Sequence, residues 1–280
     1  FDLSVERSRQ ALQITEKIHN LWGQSYDQML LSFVFFERGE LGPGIQLAEQ
    51  SIPLADQAGL IASSIGLRSE LAWVYSYCGA LERGLEVLEQ AFQVAELKQP
   101  AWYAFPQAAK IRMYLLQGEV GLARQAAGDA LLEPISIPYA RYTIFLSLAN
   151  IELAAAEGNF QLALTLAENM LSEVFPLTRV DIPDVLRWKA KALQGLGRSE
   201  EALQVLTDAR ASAAGFSCNL HLWPILGELA DLHEKAGNQG EAAAIRREAH
   251  VIVLQIAQSL RGVGLHDSFL NQSRVLKLLQ

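Results

Sequence analysis

The residues best suited to metal chemistry lie together in one segment towards the end of the chain. Cys218 and His221 are three residues apart, a spacing that fits one face of a helix, and His233 follows nearby. Thiolate sulfur and imidazole nitrogen are common zinc ligands in proteins. No fourth ligand follows at a spacing typical of a zinc site, and His233 is not followed by a second histidine at the zinc-protease spacing. We therefore predict no metal site.

A glycine-rich segment at positions 39–44, with the sequence GELGPG, invites comparison with a phosphate-binding loop. It lacks the Gly-Lys-Ser/Thr ending of such loops, and no strand precedes it. A turn between two helices explains the segment better. The chain contains no Gly-x-Ser-x-Gly motif, and the adjacent acids Glu200 and Glu201 are explained as the first turn of a helix. We therefore predict that the protein is not an enzyme and needs no cofactor.

Composition excludes two classes of partner. The 280 residues are 50% apolar and 19% charged, which allows a substantial core. The formal net charge of −8 argues against nucleic-acid binding, because that function needs a basic surface. No apolar run approaches the roughly 18 residues of a membrane helix. We expect neither nucleic acid nor a membrane as partner.

The two cysteines, Cys78 and Cys218, lie far apart in the sequence, and we expect no disulfide between them. This fits a reducing compartment and predicts a cytoplasmic protein. The chain begins at Phe1 with neither a methionine nor a signal-like segment, from which we expect a fragment of a longer protein.

Six short signatures recur along the chain at a nearly constant interval. Each is a glycine followed five residues later by a small residue, and successive first glycines are 39 or 40 residues apart. A fixed period of about 20 to 50 residues is typical of stacked repeat proteins. The six pairs are Gly39/Gly44, Gly79/Gly84, Gly118/Ala123, Gly158/Ala163, Gly197/Ala202 and Gly237/Ala242.

The residues around each signature predict a pair of helices. Before Gly197, the segment 184–194 has apolar residues at helical spacing. Gly197 can end that helix in a left-handed conformation, and Ser199 can cap the next one. Because no segment shows sustained two-residue alternation, we predict an all-α protein. We expect one domain over 1–280: a leading helix at 1–20, repeats at 21–59, 60–99, 100–137, 138–179, 180–217 and 218–261, and a cap at 262–280.

Small residues predominate at two further positions: four of the six residues that lie seven before each first glycine are small, and five of the six that lie twelve after it. The positions are Ser32, Ala72, Ile111, Ile151, Ala190 and Ala230 before it, and Ser51, Ala91, Ala130, Met170, Ala209 and Ala249 after it. This combination resembles the tetratricopeptide repeat, whose usual unit is about 34 residues. The resemblance implies a right-handed superhelical solenoid of helix-turn-helix repeats, with longer helices or loops to reach the period of 39–40 residues.

The tail from Ser259 to Leu276 resembles the ending of helical-repeat regions in large bacterial signalling proteins. Those proteins also carry an ATPase module of the signal-transduction type, and many carry a nucleotide-cyclase or kinase-like module. His266 and Ser273 depart from that ending, which commonly has Arg and Pro at these places. The resemblance implies a regulatory domain of a signalling protein.

In stacks of this kind, the first helix of each pair lines the concave face. The resemblance to the tetratricopeptide repeat implies that positions six, ten and thirteen residues before each first glycine point inward. The residues that we predict to form a partner-binding groove are Tyr26, Met29, Phe33, Trp73, Phe105, Arg112, Arg187 and Lys191. Aromatic residues and arginine are enriched at binding hot spots. The alternative is that the aromatic residues fill the core and that Arg187 and Lys191 lie on a plain solvated face.

Two functions follow from this groove. The first is an interaction module that binds a protein or peptide segment, including other domains of its own chain. The second is a small-molecule sensor whose superhelix changes shape when a ligand enters it. Large exposed aromatic residues over several repeats would favour the first function, and a closed pocket with a few convergent polar groups would favour the second.

Overall fold

The computed structural model describes residues 1–129, 132, 140–174 and 179–279, and within these ranges it contains helices and turns but no strand. The predicted all-α class is therefore confirmed. No helix in these ranges has both the length and the apolar character needed to cross a bilayer. The helices are α1 (Asp2–Lys17), α2 (Leu21–Arg38), α3 (Leu41–Gln57), α4 (Ile61–Tyr77), α5 (Leu81–Lys98), α6 (Ala104–Leu116), α7 (Val120–Ala127), α8 (Ala140–Ala156), α9 (Phe160–Val174), α10 (Ile182–Gly195), α11 (Ser199–Phe216), α12 (Asn219–Lys235), α13 (Gln239–Ser259), α14 (His266–Leu270) and α15 (Ser273–Leu279).

Two short 3₁₀ segments, Pro100–Trp102 and Leu260–Val263, precede α6 and follow α13. The predicted boundary between the repeats at 100–137 and 138–179 lies outside the described residues, as does Ala130.

The predicted turn glycines all adopt the left-handed conformation, with φ between 76° and 84°. They are Gly39, Gly79, Gly118, Gly158, Gly197 and Gly237. Glycine reaches this region without steric cost because it has no Cβ, so each one ends a helix and lets the chain turn back. This prediction is confirmed.

The predicted cap at Ser199 is wrong by one residue. Arg198 occupies the N-cap, and its carbonyl accepts the first hydrogen bond of α11, from the backbone N–H of Ala202 at 3.0 Å. Ser199 is already inside the helix, and the Arg198 side chain pairs with Glu201 at 2.6 Å. Glu200 and Glu201 lie in the first turn, as predicted, where the helix dipole favours negative charge.

The small residues let the two helices of a pair approach closely. A Cβ added to Gly84 on α5 would lie 2.6 Å from the carbonyl oxygen of Ala72 on α4. Gly84 lies five residues after the turn glycine Gly79, and Ala72 lies seven residues before it. All residues at these two positions are buried, as expected where backbones are in contact.

The first helices of successive pairs also contact one another. The contacts run from α2 to α4, α6, α8, α10 and α12 in turn, and each second helix packs against the first helix of its own pair. α1 packs on α2 at the start of the array. The first helices therefore form an inner layer, and the second helices form an outer layer.

Contacts between the two ends of the array close it into a ring. α12 contacts α2, while α13 and the segment Leu260–Val263 contact α3. We call this contact the seam. A Cβ on Gly42 would lie 1.9 Å from the carbonyl oxygen of Ser259, so the approach of α3 to the end of α13 requires glycine. Across the same seam, Nε2 of His221 lies 2.9 Å from Oε2 of Glu37.

Candidate ligand-binding cavity

A cavity of about 320 Å³ lies among the inner helices and is bounded on one side by α15. We call it the central cavity. Side chains from α4, α6, α8, α10 and α12 line it, together with three residues of α15. Its apolar walls include four large aromatic residues and four leucines: Trp73, Tyr77, Trp188, Trp223, Leu115, Leu116, Leu220 and Leu278.

The aromatic walls are held by contacts between rings. Tyr77 lies between Trp73, at a centroid distance of 5.2 Å, and Trp223, at 6.2 Å. Phe269 on α14 packs against both Tyr77 and Trp223. Such pairs add about 0.5–1.5 kcal/mol each beyond the area they bury, so these rings form a firm wall for the cavity.

Buried ion pairs form the charged part of the cavity lining. Arg112 on α6 contacts Glu152 on α8 at 2.8 Å and Asp184 on α10 at 3.4 Å. Arg187 contacts Asp184 and Glu228, each at 2.9 Å. We call these five residues the ionic cluster. It joins four consecutive inner helices, because Glu228 lies on α12.

Burial and pairing act in opposite directions on the two inner carboxylates. Burial alone would raise the pKa of Asp184, but the positive charges of Arg187, His221 and Arg112 outweigh it and lower that pKa to about 2. For Glu152, burial wins over the attraction of Arg112, and the neighbouring Asp184 adds to it, so its pKa is raised. Asp184 therefore stays charged near neutral pH.

Arg112 also lies over aromatic rings. Its guanidinium carbon is 4.7 Å from the ring centroids of both Trp73 and Phe145. Cation–π contacts of this kind stabilise a buried cation without neutralising it. The side chain of Arg112 is therefore fixed by two carboxylates and two rings, and it cannot swing out of the cavity wall without losing them.

A second set of buried charges lies behind the cavity, next to the seam. Arg141 pairs with Glu70 at 2.7 Å and with Glu37 at 3.2 Å, and it lies over the ring of Phe33 at 4.5 Å. Glu37 pairs in turn with His221, whose Nδ1 is 3.8 Å from Asp184. His221 therefore connects the seam to the ionic cluster.

These contacts make the stability of the seam pH-dependent. Burial lowers the pKa of His221, but Glu37 and Asp184 outweigh it and raise the pKa above 6.5. The folded protein then holds this proton more tightly than the unfolded chain does, so the stabilisation is complete below about pH 6.5 and is lost as the pH rises through the folded value. We expect the free energy of unfolding, measured in urea titrations, to fall as the pH rises above 6.5.

The His221→Gln variant should lose this pH dependence, whereas His250→Gln on α13 should retain it. A wild-type profile that is flat over this range, or equally steep in His221→Gln, would contradict the assignment.

The exposed side chains of Lys191 and Lys277 mark the mouth of the cavity. Lys277 on α15 pairs with Asp231 on α12. Lys191 lies over the ring of Trp188 at 4.6 Å, and the crowding of protein atoms around its ammonium lowers its pKa even though the side chain is accessible to solvent.

The remaining cation, Arg274 on α15, inserts into the aromatic wall. It lies over the ring of Tyr77 at 4.2 Å and over that of Trp223 at 5.3 Å. Its Nη2 donates a hydrogen bond of 2.6 Å to the carbonyl of Tyr77. Burial lowers the pKa of Arg274. The C-terminal helix is therefore part of the cavity wall.

The structure separates the predicted groove residues into two groups. Trp73, Arg112, Arg187 and Lys191 line the central cavity. Met29, Phe33 and Phe105 are buried in the core, and Tyr26 is half-buried and stacks on Trp22 at 5.3 Å. Arg187 is not on a solvated face, because Asp184 and Glu228 bind it.

Sequence reasoning did not select Tyr77, Trp188, Trp223 or Arg274. Tyr77 lies two residues before Gly79, and Trp188 lies nine residues before Gly197. Neither position is among those predicted to point inward. Arg274 lies outside the repeats, and no spacing rule predicts its position. Glu152 lies six residues before Gly158, and Asp184 lies thirteen residues before Gly197. Both positions are among those predicted to point inward, so the spacing indicates these two residues.

The cavity lining offers cations, carboxylates and aromatic rings that can contact a ligand. Within the described residues, no three His, Cys, Asp or Glu side chains are arranged to hold a metal ion. Cys78 and Cys218 are buried and free, and burial raises the pKa of the Cys78 thiol to about 12 and that of Cys218 further. Both thiols are therefore protonated near neutral pH and are poor nucleophiles. No protein-family model matches this chain, and no curated protein matches it either.

Proposed function

We propose that this chain is a tetratricopeptide-like regulatory domain that binds a small molecule in the central cavity. One observation carries the proposal: a cavity of about 320 Å³ inside a closed ring of helices combines aromatic walls with converging charges. Small-molecule sites are typically concave, about 300–1,000 Å³ in volume and mostly apolar, with a few placed polar groups. A bound ligand would contact several inner helices and α15, and would favour the arrangement of helices that fits it best.

The tetratricopeptide-like part of the proposal is supported by sequence and contacts together. Turn glycines recur every 39 or 40 residues, and the small residues around them lie where paired helices touch. We interpret the closed ring as a short solenoid whose last pair meets its first. The resemblance of the tail supports a role in bacterial signalling that is relayed to other domains, and the two cysteines, Cys78 and Cys218, support a cytoplasmic location.

We propose a non-catalytic role for the cavity. The carboxylates of the ionic cluster are engaged with Arg112 and Arg187. Breaking such buried pairs to free a general acid or base would cost about 3–5 kcal/mol.

Protein or peptide binding is the second candidate function. It is favoured by exposed apolar side chains on α1, at the residue that follows it and on α2, outside the cavity. Ile14, Ile18 and Trp22 are each more than half exposed. An exposed apolar group of this kind is typical of a protein-binding surface.

The Gly227→Leu variant tests the proposed function. Gly227 lies on α12 in the cavity lining, and a Cβ there would come within 3.5 Å of Leu278, an ordinary contact. A leucine at this position should therefore occupy part of the cavity without distorting α12. We expect a mixed library of neutral and charged fragments, screened by saturation-transfer NMR, to give hits that Gly227→Leu abolishes.

Gly215→Leu is the matched control, because Gly215 is exposed on α11 with no atom within 4 Å of its added Cβ. Its hits should equal those of the wild type. The proposal fails if no fragment binds, or if Gly227→Leu keeps every hit.

A further inference from the structure

The charge of the central cavity has the opposite sign to that of the whole chain. The chain has a formal net charge of −8, yet the cavity is lined by five lysine and arginine side chains and four carboxylates. The lining therefore carries an excess of positive charge.

The excess can be assigned to two side chains. Arg112 and Arg187 are neutralised within the ionic cluster, and Lys277 pairs with Asp231. Among the described residues, no carboxylate lies within 4 Å of the cationic groups of Arg274 or Lys191. The polar partners of Arg274 are the carbonyl of Tyr77 and the side-chain oxygen of Gln272, at 2.6 and 3.3 Å.

Both cations line the same cavity, whose lining also includes Arg187. Burial is the main cause that lowers the pKa of Arg274 and of Lys191, and the charge of Arg187 adds to it in both, whereas Glu228 and Glu152 partly offset it for Lys191. Like charges held together with partial loss of water are unfavourable, and an anion placed among them would relieve that cost. A neutral or cationic ligand would not.

The same two side chains lie against aromatic rings. Arg274 covers Tyr77 and Trp223, and Lys191 covers Trp188. A ligand whose charged group meets the cations therefore has flat apolar surfaces next to it. The cavity volume of about 320 Å³ suits a molecule of one or two rings and excludes a folded segment of protein.

We infer that the central cavity binds a small organic anion with a flat aromatic body, whose carboxylate or phosphate lies between Arg274 and Lys191. This inference rests on the proposed function. It names the class of ligand, and the two cations are the residues that would select it.

Three matched fluorinated probes test the inference: 4-fluorobenzoate, 4-fluorophenyl phosphate and the neutral 4-fluorobenzamide. Fluorine NMR titrations with the full chain give an affinity for each. We expect at least one anion to bind about tenfold or more tightly than the amide. A charge-assisted hydrogen bond accounts for a difference of this size. Whichever anion binds more tightly identifies the ligand as a carboxylate or a phosphate.

Single substitutions then locate the anion. Arg274→Gln and Lys191→Gln should each weaken its binding about tenfold or more, and Arg274→Lys should restore part of the loss because it keeps the charge. Arg261→Gln and Lys235→Gln remove exposed cations elsewhere and should leave binding unchanged. Thermal melting confirms that each variant is folded, and Lys191→Gln, at an exposed position, provides the test if Arg274→Gln does not fold.

Two results would overturn the inference. In the first, the amide binds as tightly as the anions, and Gly227→Leu abolishes the binding of all three. The cavity would then be a binding site, as proposed, but without selectivity for anions. In the second, an anion binds equally well to Arg274→Gln, Lys191→Gln and the wild type, which places it elsewhere. If no probe binds the wild type in a way that Gly227→Leu abolishes, the proposed function itself is contradicted.

Discussion

Replacing Asp184 by alanine should lower the free energy of unfolding by about 3–5 kcal/mol, the largest loss that we expect from one substitution. Asp184 is almost completely buried and is paired with Arg187 and Arg112. Removing its carboxylate leaves two buried cations with less compensation, and breaking a buried ion pair from one side has a cost of this size. Urea unfolding followed by circular dichroism measures the change.

Asp208→Ala is the control for this substitution, because Asp208 is an exposed aspartate on α11. We expect it to change the stability by no more than about 0.5 kcal/mol. If Asp184→Ala were as mild as Asp208→Ala, the ionic cluster would not be a structural element of the ring.

The same carboxylate should make the protein sensitive to acid. The pKa of Asp184 is about 2 in the folded protein, against an ordinary value of 3.8. Its contribution is therefore complete above about pH 4 and is lost as the pH falls towards 2. The raised pKa of Glu152 works in the opposite direction, since its protonation favours the folded state. Because the Asp184→Ala variant lacks this carboxylate, its free energy of unfolding should change less than that of the wild type as the pH falls from about 4 towards 2.

The second large effect is expected at the seam, where Gly42→Ala should destabilise the protein by about 1–3 kcal/mol. The added Cβ would lie 1.9 Å from the carbonyl oxygen of Ser259. That oxygen belongs to the backbone, so α3 and the end of α13 must move apart. Strain from overpacking is typically of this size. Urea unfolding measures the loss, and small-angle scattering should show a larger radius if the ring opens.

Two other glycines provide matched controls for the seam. Gly121 and Gly240 each lie three residues after a turn glycine, as Gly42 does, and neither has an atom within 4 Å of an added Cβ. Alanine there should be neutral or stabilising by up to about 1 kcal/mol, since glycine is unfavourable inside a helix. The account of the seam fails if Gly42→Ala is as stable as Gly240→Ala.

The local structure could be predicted because its causes are local. A glycine that must adopt a positive φ, followed by apolar residues at helical spacing, fixes where each helix ends and the next begins. Gly39 and Gly197 illustrate this, and the all-α class follows. The one-residue error at Ser199 arose because sequence alone does not show which carbonyl accepts the first helical hydrogen bond.

Closure of the ring depends on contacts between residues more than 180 positions apart. Glu37 meets His221, and Gly42 meets Ser259. Small changes in helix length alter the curvature of a repeat array, so no spacing rule shows that α12 returns to α2. Phe33 and Phe105 lie in the core rather than in a groove, because Arg141 of α8 covers the first ring and Tyr142 and Phe145 of the same helix pack against the second.

The charged residues of the cavity show the same limit of local reasoning. The counting rule placed Trp73, Arg112, Arg187 and Lys191 on inner helices, and all four line the cavity. It could not show that Asp184 and Glu228 bind Arg187, whereas no carboxylate of the described residues lies within 4 Å of the Lys191 ammonium. Arg274 comes from outside the repeats and reaches the cavity only because α15 folds against it.

The five tryptophans allow the central claim to be tested directly in the folded protein. Trp73, Trp188 and Trp223 line the central cavity, whereas Trp22 and Trp102 do not. With 5-fluorotryptophan in the chain, each ring reports separately in a fluorine NMR spectrum. A fragment hit from the library screen should shift the signals of the three cavity tryptophans and leave those of Trp22 and Trp102 in place. If every hit shifted only Trp22, or none of the three cavity signals, the central cavity would not be the binding site.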